Sequence, residues 1–359
     1  MNAPILLMLW LMAGTSTVVN PITATFETTA SPYPEDSVDD VAIWPHPENA
    51  NQSLIVGTLK ASNLRPVQPT GLLLFDLSGQ QLQFLEGGTP NNVDLRAGFP
   101  FTDGSAPIIG TGHWWSNDVT FYRIQQQQLV QITTEPFTTG LDKLQGFCLG
   151  KQPDSEKFHY VVVNKEGQLE HYHLNYAGQR LSSELIGQFA LPSQAEGCVI
   201  DDANQVLYVA EENAGIWQFR IDESGLYQFD QGRLIDQVGS HTGLAPDVEG
   251  LAIYPTGKTS GYLLASSQQI SRFFVYDRNS TEFITSFQVT DGDHIDGVSH
   301  TDGLDVSPTP YNPVFPRGIL VTQDNDNVDG SQLRTQNFKI ISWEPVQQLI
   351  EQAIEDQDS

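Results

Sequence analysis

Cysteine is scarce in this sequence: Cys148 and Cys198 are the only two among 359 residues. Two cysteines exclude a disulfide scaffold and any four-cysteine zinc site. Positive charge is scarce too, with 17 Lys and Arg against 44 Asp and Glu, a net charge of −27. Without surplus cations to displace phosphate counterions, the chain is not a nucleic-acid binder, and an anionic membrane surface is excluded on the same ground. Long apolar runs are limited to residues 4–14 (PILLMLWLMAG), well short of the ~20 residues that span a bilayer. That length suits the apolar region of a secretory signal. Residues 1–20 are therefore expected to be a signal peptide, although Met-Asn-Ala lacks its usual Lys or Arg, and the destination secreted or periplasmic. The sequence holds no G-x-S-x-G and no H-E-x-x-H, so serine-hydrolase and zincin chemistry have no support. Gly257-Lys258-Thr259 lacks the earlier glycine of a phosphate loop, since position 252 is Ala.

What the chain does have is apolar material, 39% of residues with 10% aromatic, enough for a sizeable core. It also repeats. An acid or amide precedes a small or apolar residue and a strand-like run at Asp39-Asp40-Val41, Asn92-Val93-Asp94, Gln145-Gly146-Phe147, Glu196-Gly197-Cys198, Glu249-Gly250-Leu251 and Asp302-Gly303-Leu304. Their second positions are spaced by 53, 53, 51, 53 and 53 residues. Each motif is followed by further short runs rich in Val, Ile, Tyr, Phe and Leu, such as residues 54–58, 71–77 and 81–85 in the first unit. Four short strands per ~50 residues, repeated, are the pattern of a propeller blade. The expectation is an all-β, six-bladed β-propeller with four antiparallel strands per blade, in one domain over residues 21–359. The sixth unit lacks a fourth strand, so an N-terminal strand within residues 22–28 is expected to supply it and close the ring. Residues 346–356 carry apolar Leu349, Ile350, Ala353 and Ile354 at the spacing of a short peripheral helix.

Rotational repetition places equivalent residues around one axis. Asp39, Asn92, Gln145, Glu196, Glu249 and Asp302 are expected to ring one end of the central channel. Asp40, Asp94, Asp247, Asp296 and Asp305 lie near them in sequence, and second strands end at Lys60, Lys165-Glu166, Glu211-Glu212, Gln268 and Asp324. Crowded carboxylates raise one another's pKa or demand cations. Ca²⁺, with six to eight oxygen ligands, suits such a set, while any single acid serves equally well as a strand cap or a tie between blades. Other candidates are weaker. Asn325-x-Asn327-x-Asp329-Gly330 has calcium-loop spacing but Gln336 where a Glu is needed. His171 and His173 share one strand face and are expected at the surface. Cys148 and Cys198 stand two and one residues after their motif glycines, so opposite side-chain directions and two free, buried thiols are expected.

These motifs resemble the β-propeller phytases. The resemblance runs from about Val38 to Trp343, once per blade and in order, and is most specific at Asp247-Val248-Glu249-Gly250-Leu251 and Gly261-Tyr262-Leu263-Leu264-Ala265-Ser266-Ser267-Gln268. It implies a calcium-dependent phosphatase that removes phosphate from phytate, myo-inositol hexakisphosphate, free or as its calcium salt, by attack of a calcium-bound water. It also implies residue roles. Asp39, Glu196, Glu212, Asp247 and Glu249 hold the catalytic calcium ions, and Lys60 neutralises the phosphoryl oxygens. Lys165 and Glu166 contact a neighbouring phosphate. Asp296, Asp302, Gln268 and Asp324 bind further calcium ions, with Asp40 suited to either group. Where the family pattern has an Arg in the second blade, this chain reads Gly112-His113-Trp114-Trp115, which makes His113 the substitute phosphate contact. Gln145 stands where the family has Tyr, and an insertion occupies residues 61–70. Two other readings stay open: another calcium-propeller hydrolase, such as a lactonase using His113 or His300 as proton shuttle, and a non-catalytic phosphate-binding propeller. No oligomer signal is visible, so a monomer is expected.

Overall fold

The computed structural model describes residues 20–359 except 35, 61–67, 154, 156, 223–224 and 358. The signal segment expected before residue 20 and most of the 61–70 insertion lie outside the described residues.

Six antiparallel sheets follow one another along the chain, each beginning with its innermost strand. Blade one is Val38–Trp44, Leu54–Leu59, Gly71–Asp76 and Gln81–Glu86, and blades two to five repeat that order. The inner strand of blade one, VDDVAIW, is buried along its whole length, whereas its outer strand QLQFLE alternates half-buried and exposed residues. The blades therefore pack face to face. Each of the six hydrophobic clusters joins two adjacent blades: Phe99, Phe121, Phe147 and Tyr160 between blades two and three, for example, and Ile55, Phe75, Phe338 and Ile340 between one and six.

Ring closure uses the N-terminus twice. Phe26–Glu27 pairs antiparallel with Asn337–Ser342 and supplies the fourth strand of blade six, as expected. The preceding Asn20–Thr23 adds an unexpected fifth, parallel strand to blade five, with Ile22 opposite Val289. The final helix, Trp343–Gln357, buries Trp343, Val346 and Ile350 against blades five and six, and Trp343 stacks on Tyr254 with ring centroids 4.0 Å apart. Among the described residues no helix is long and apolar enough to cross a membrane.

The two cysteines form a disulfide, with Cα atoms 5.8 Å apart, and this corrects the expectation of free thiols. Opposite side-chain directions would separate them within one sheet. They sit instead on the inner strands of blades three and four, and stacked blades meet through opposite faces, so the same parity brings them together. The bond closes a 50-residue loop, and chain-entropy arithmetic gives about 4 kcal/mol of stabilisation. A Cys148→Ser/Cys198→Ser variant is expected to melt several degrees lower while keeping its β-sheet circular dichroism; an unchanged melting temperature would contradict that contribution.

His171 is likewise a correction. It is fully buried rather than at the surface, with Nε2 2.8 Å from His159 Nδ1 and its ring against Tyr227, while His173 is half-buried. Tyr227 of blade four covers this face, its ring against both His159 and His171.

Candidate active site at the channel mouth

A β-bulge in the inner strand aims the site residues. In blade one, pairing steps from Val38–Leu59 to Val41–Gly57, leaving one extra residue between them, and blades two, four and five do the same at 90–93, 195–198 and 248–251. A bulge bends the strand and re-aims the side chains it carries. The first bulge residue of each blade points into the mouth; the second faces the next blade at very short range. A Cβ on Gly197 would lie 1.8 Å from the Glu249 carbonyl oxygen and one on Gly146 2.0 Å from that of Glu196, so only glycine fits there.

Blade two departs from the expected register by one residue. Its bulge holds Asn91 and Asn92, so Asn91 rather than Asn92 occupies the mouth position. Asn91 Nδ2 donates to Asp39 Oδ2 at 3.0 Å and to Glu196 Oε1 at 3.1 Å. Asn92 and Asp40 take the second bulge position, where other blades have glycine. Asp40 Oδ2 accepts from Val93 N at 3.0 Å and Asn92 Nδ2 at 3.2 Å. Asp40 therefore ties blade one to blade two, and it lines the cavity at the opposite end of the channel. Asp305 and Asp94 act in the same way, accepting from Ile43 N and Leu149 N of the neighbouring blades at 2.7 and 2.8 Å.

The mouth is a cavity of about 740 Å³. Two tiers line it. The inner tier is the first bulge residue of blades one, two, four and five, Asp39, Asn91, Glu196 and Glu249, with Gln145 and Asp302 in the equivalent places of blades three and six. The outer tier is the residue that follows each second strand: Lys60, Trp114, Lys165, Glu212, Gln268 and Asn325. Asp247 joins them from the loop before blade five, in a left-handed conformation at φ 53° that a non-glycine residue adopts at a cost.

Lys60 is the cation at the centre of this group. Its Nζ is paired with Asp39, lies 2.9 Å from Asp36 and 4.0 Å from Asp302. Burial works against its charge, but the facing carboxylates outweigh that and hold its pKa well above the ordinary value. Burial pushes Asp39 up to about 7 against the pull of Lys60, and raises Glu196, Glu249 and Asp302 in the same way. Amides supply further donors to the acids. Gln145 Nε2 donates to Glu196 Oε2 at 2.7 Å, Gln194 donates to Glu212, and Gln268 to Asp302. Glu249 Oε2 and Gln145 Oε1 are buried without a hydrogen-bond partner.

Several expected residues lie elsewhere. His113 is 1% exposed: Nδ1 accepts from Thr89 N at 2.9 Å and Nε2 is 3.0 Å from Thr120 Oγ1. Both ring nitrogens are spent inside blade two, and desolvation lowers its pKa to about 4, so it offers the mouth no phosphate contact. Trp114 stands there instead. Glu166 is exposed beyond the rim. Asp296 and Asp324 are drawn to the fully buried Lys339, which also pairs with Glu27 at 2.6 Å. Asn327 joins this second cluster, and Gln336 accepts from Val38 N at 3.0 Å instead of serving a calcium loop.

Fold and mouth together define a six-bladed propeller with a carboxylate-rich axial site centred on one lysine. The model of the family described as Phytase matches residues 12–359. A 3-phytase of Bacillus subtilis (strain 168) is 36% identical over 336 residues, covering 91% of this chain and 85% of its own length. The chain belongs to the phytase family. Solved structures that resemble it include a functionally unknown protein from Desulfotomaculum acetoxidans DSM 771, at TM-score 0.48 and 15% identity over 70% of this chain and 72% of that one. A chain of a mitotic checkpoint complex reaches TM-score 0.49 and 12% identity over 95% and 98%. Both are too distant to bear on fold or function.

Proposed function

We propose that this protein is a calcium-dependent phytase that hydrolyses the phosphomonoesters of myo-inositol hexakisphosphate at the channel mouth. The observation that carries this reading is one buried, charged lysine set among carboxylates that its single charge does not balance. A surface at −27 repels a polyanion, and the mouth as built adds to that repulsion. Divalent cations reverse the sign.

The donor set suits a hard dication. It consists of carboxylate and amide oxygens, with an unpartnered oxygen on Glu249 and another on Gln145. Among the described residues no three His, Cys, Asp or Glu side chains close on one point as a rigid cage. Lys60 and the amides of Asn91, Gln145, Gln194 and Gln268 stand between the acids instead. Asp39, Glu196, Glu212, Asp247 and Glu249 are the residues that would hold calcium, with Asp302 and Gln268 beside them. Calcium, when bound, supplies the positive potential that attracts phosphate and the Lewis acidity that promotes water attack.

The chain's own residues supply the rest. Lys60, anchored by two aspartates and held protonated, donates to a non-bridging phosphoryl oxygen as charge builds in the transition state. Lys165, exposed at the rim, takes a second phosphate, and Asn91 keeps Asp39 and Glu196 apart and oriented. The alternative hydrolase reading loses one of its two shuttle candidates at His113, whose nitrogens are both engaged, while His300 stands exposed at the mouth beside Asp326. Residues 1–20 as an export signal and a monomeric state belong to the same proposal.

The test is phosphate release from phytate near neutral pH with calcium and with excess chelator. Release that calcium supports and chelator abolishes is the expected result. No release from folded, calcium-supplied protein would leave a binding propeller as the answer.

A further inference from the structure

The outer tier of the mouth is polar in five blades and aromatic in one. Trp114 fills the place that Lys60, Lys165, Glu212, Gln268 and Asn325 fill elsewhere. It is half-buried and lines the cavity, and Lys165 Nζ lies 5.6 Å from its ring centroid. It is the one large apolar side chain among the described residues that line the cavity.

The segment carrying Trp114 is firmly built. Trp114 N donates to Thr89 O at 3.0 Å, and Asn117 N closes the turn on His113 O at 3.0 Å. His113, locked between Thr89 and Thr120, fixes the start of that turn. Asn117 then accepts from Lys143 N at 2.7 Å, and Lys143 O accepts from Lys165 N at 3.1 Å. Blade two's tryptophan and blade three's lysine are thus held in register through one chain of hydrogen bonds.

We propose that Trp114 and Lys165 form a wall that recognises the carbocyclic ring of the substrate. The indole packs against the C–H face of the cyclohexane ring, between equatorial phosphates, while the Lys165 ammonium takes a phosphate beside it. A guanidinium at position 114 would read phosphate alone; the indole reads the ring that carries it. The wall selects cyclic polyol phosphates over acyclic polyanions of equal charge. This inference rests on the phytase reading.

Calorimetry on the calcium-loaded protein with two non-hydrolysable probes tests it: myo-inositol hexakissulfate, and mannitol hexasulfate, which has the same six sulfates on an open chain. Wild type is expected to bind the cyclic probe about tenfold more tightly, the scale of one aromatic contact. Trp114→Ala should abolish that gap and leave mannitol hexasulfate within about twofold of wild type. Trp114→Tyr should keep most of the gap, and Lys165→Ala should weaken both probes alike. A gap that survives Trp114→Ala, or equal weakening of both probes by it, would overturn the proposal. Phosphate release from phytate by the same wild-type preparation reports separately on the phytase reading: absent release sinks that reading, while the probe comparison judges the wall.

Discussion

Lys60→Ala is expected to lower kcat for phosphate release by about 10²- to 10³-fold, with a much smaller change in KM. That is the scale observed when one preorganised donor to a developing anion is removed. Lys60 is placed for this role by its inner position: it touches Asp39, Asp36 and the edge of Asp302, whereas Lys165 sits exposed at the rim. A rim charge contributes chiefly to capture of the substrate, so Lys165→Ala should raise KM more than it lowers kcat. Lys60→Arg keeps the charge but replaces a compact ammonium by a planar fork, and partial activity is expected. The complication is that Lys60 also neutralises buried Asp39. Each variant therefore needs its melting temperature in calcium, where the metal takes over that neutralisation and the values should stay within a few degrees of wild type. Unchanged kcat in folded Lys60→Ala would remove the lysine from the reaction and leave the carboxylates as the whole of the machinery.

The architecture was legible because a propeller writes its symmetry into spacing. A repeat near 53 residues, with short β-rich runs inside each unit, leaves little freedom in fold, blade number or the need for a closing strand. The mouth positions of blades two and six were misread by one residue, while Asp40, Asp296 and Asp324 proved to serve other places in the fold. Bulges displace side chains by one position, and consecutive polar residues disguise the shift. In Asn91-Asn92 the even spacing selected the second asparagine, whereas the bulge presents the first. At His113-Trp114 and Asp324-Asn325 the strand end was set one residue too early: the last residue of the second strand is buried and the next one faces the cavity. The usable signal was the outer tier itself. Lys60, Lys165, Glu212 and Gln268 all follow their second strand directly, and applying that rule to blade two gives Trp114. The disulfide was hidden for another reason. Alternation within a strand says which face a side chain takes but not which blade that face meets, and in a ring of stacked sheets opposite faces are neighbours.

Stability against pH should separate the metal from the rest of the fold. At pH 8, excess chelator is expected to lower the melting temperature on the order of 10 °C, because calcium held as proposed would stabilise only the folded chain and its loss would leave the mouth carboxylates with Lys60 alone. A second limb is independent of calcium. Burial depresses His113 to about 4 and His159 to about 3, with His171 at about 2, while in the unfolded chain a histidine titrates near 6.5. Over that interval the unfolded chain binds more protons than the folded one, so stability is full above about pH 6.5 and falls as the pH drops toward the folded values. By pH 5 the loss is about 2 kcal/mol per buried histidine. None of the three faces the mouth, so in calcium, which keeps the mouth carboxylates ionised, the histidine limb should be visible; in chelator Asp39, Glu196, Glu249 and Asp302, whose pKa burial raises, gain protons in the folded state as the pH falls and oppose it. The gap between the two curves should be wide at pH 8 and shrink in acid as protons compete for the carboxylates. The measurement is a set of melting curves from pH 5 to 8, with and without chelator. Superimposed curves at pH 8 would rule out calcium as a structural partner of the mouth. Buried acids such as Asp305, raised to about 7, oppose this limb, so the histidine part is read by comparison: an acid slope in calcium no steeper in wild type than in His171→Gln would mean that the histidine binds its proton in the folded state.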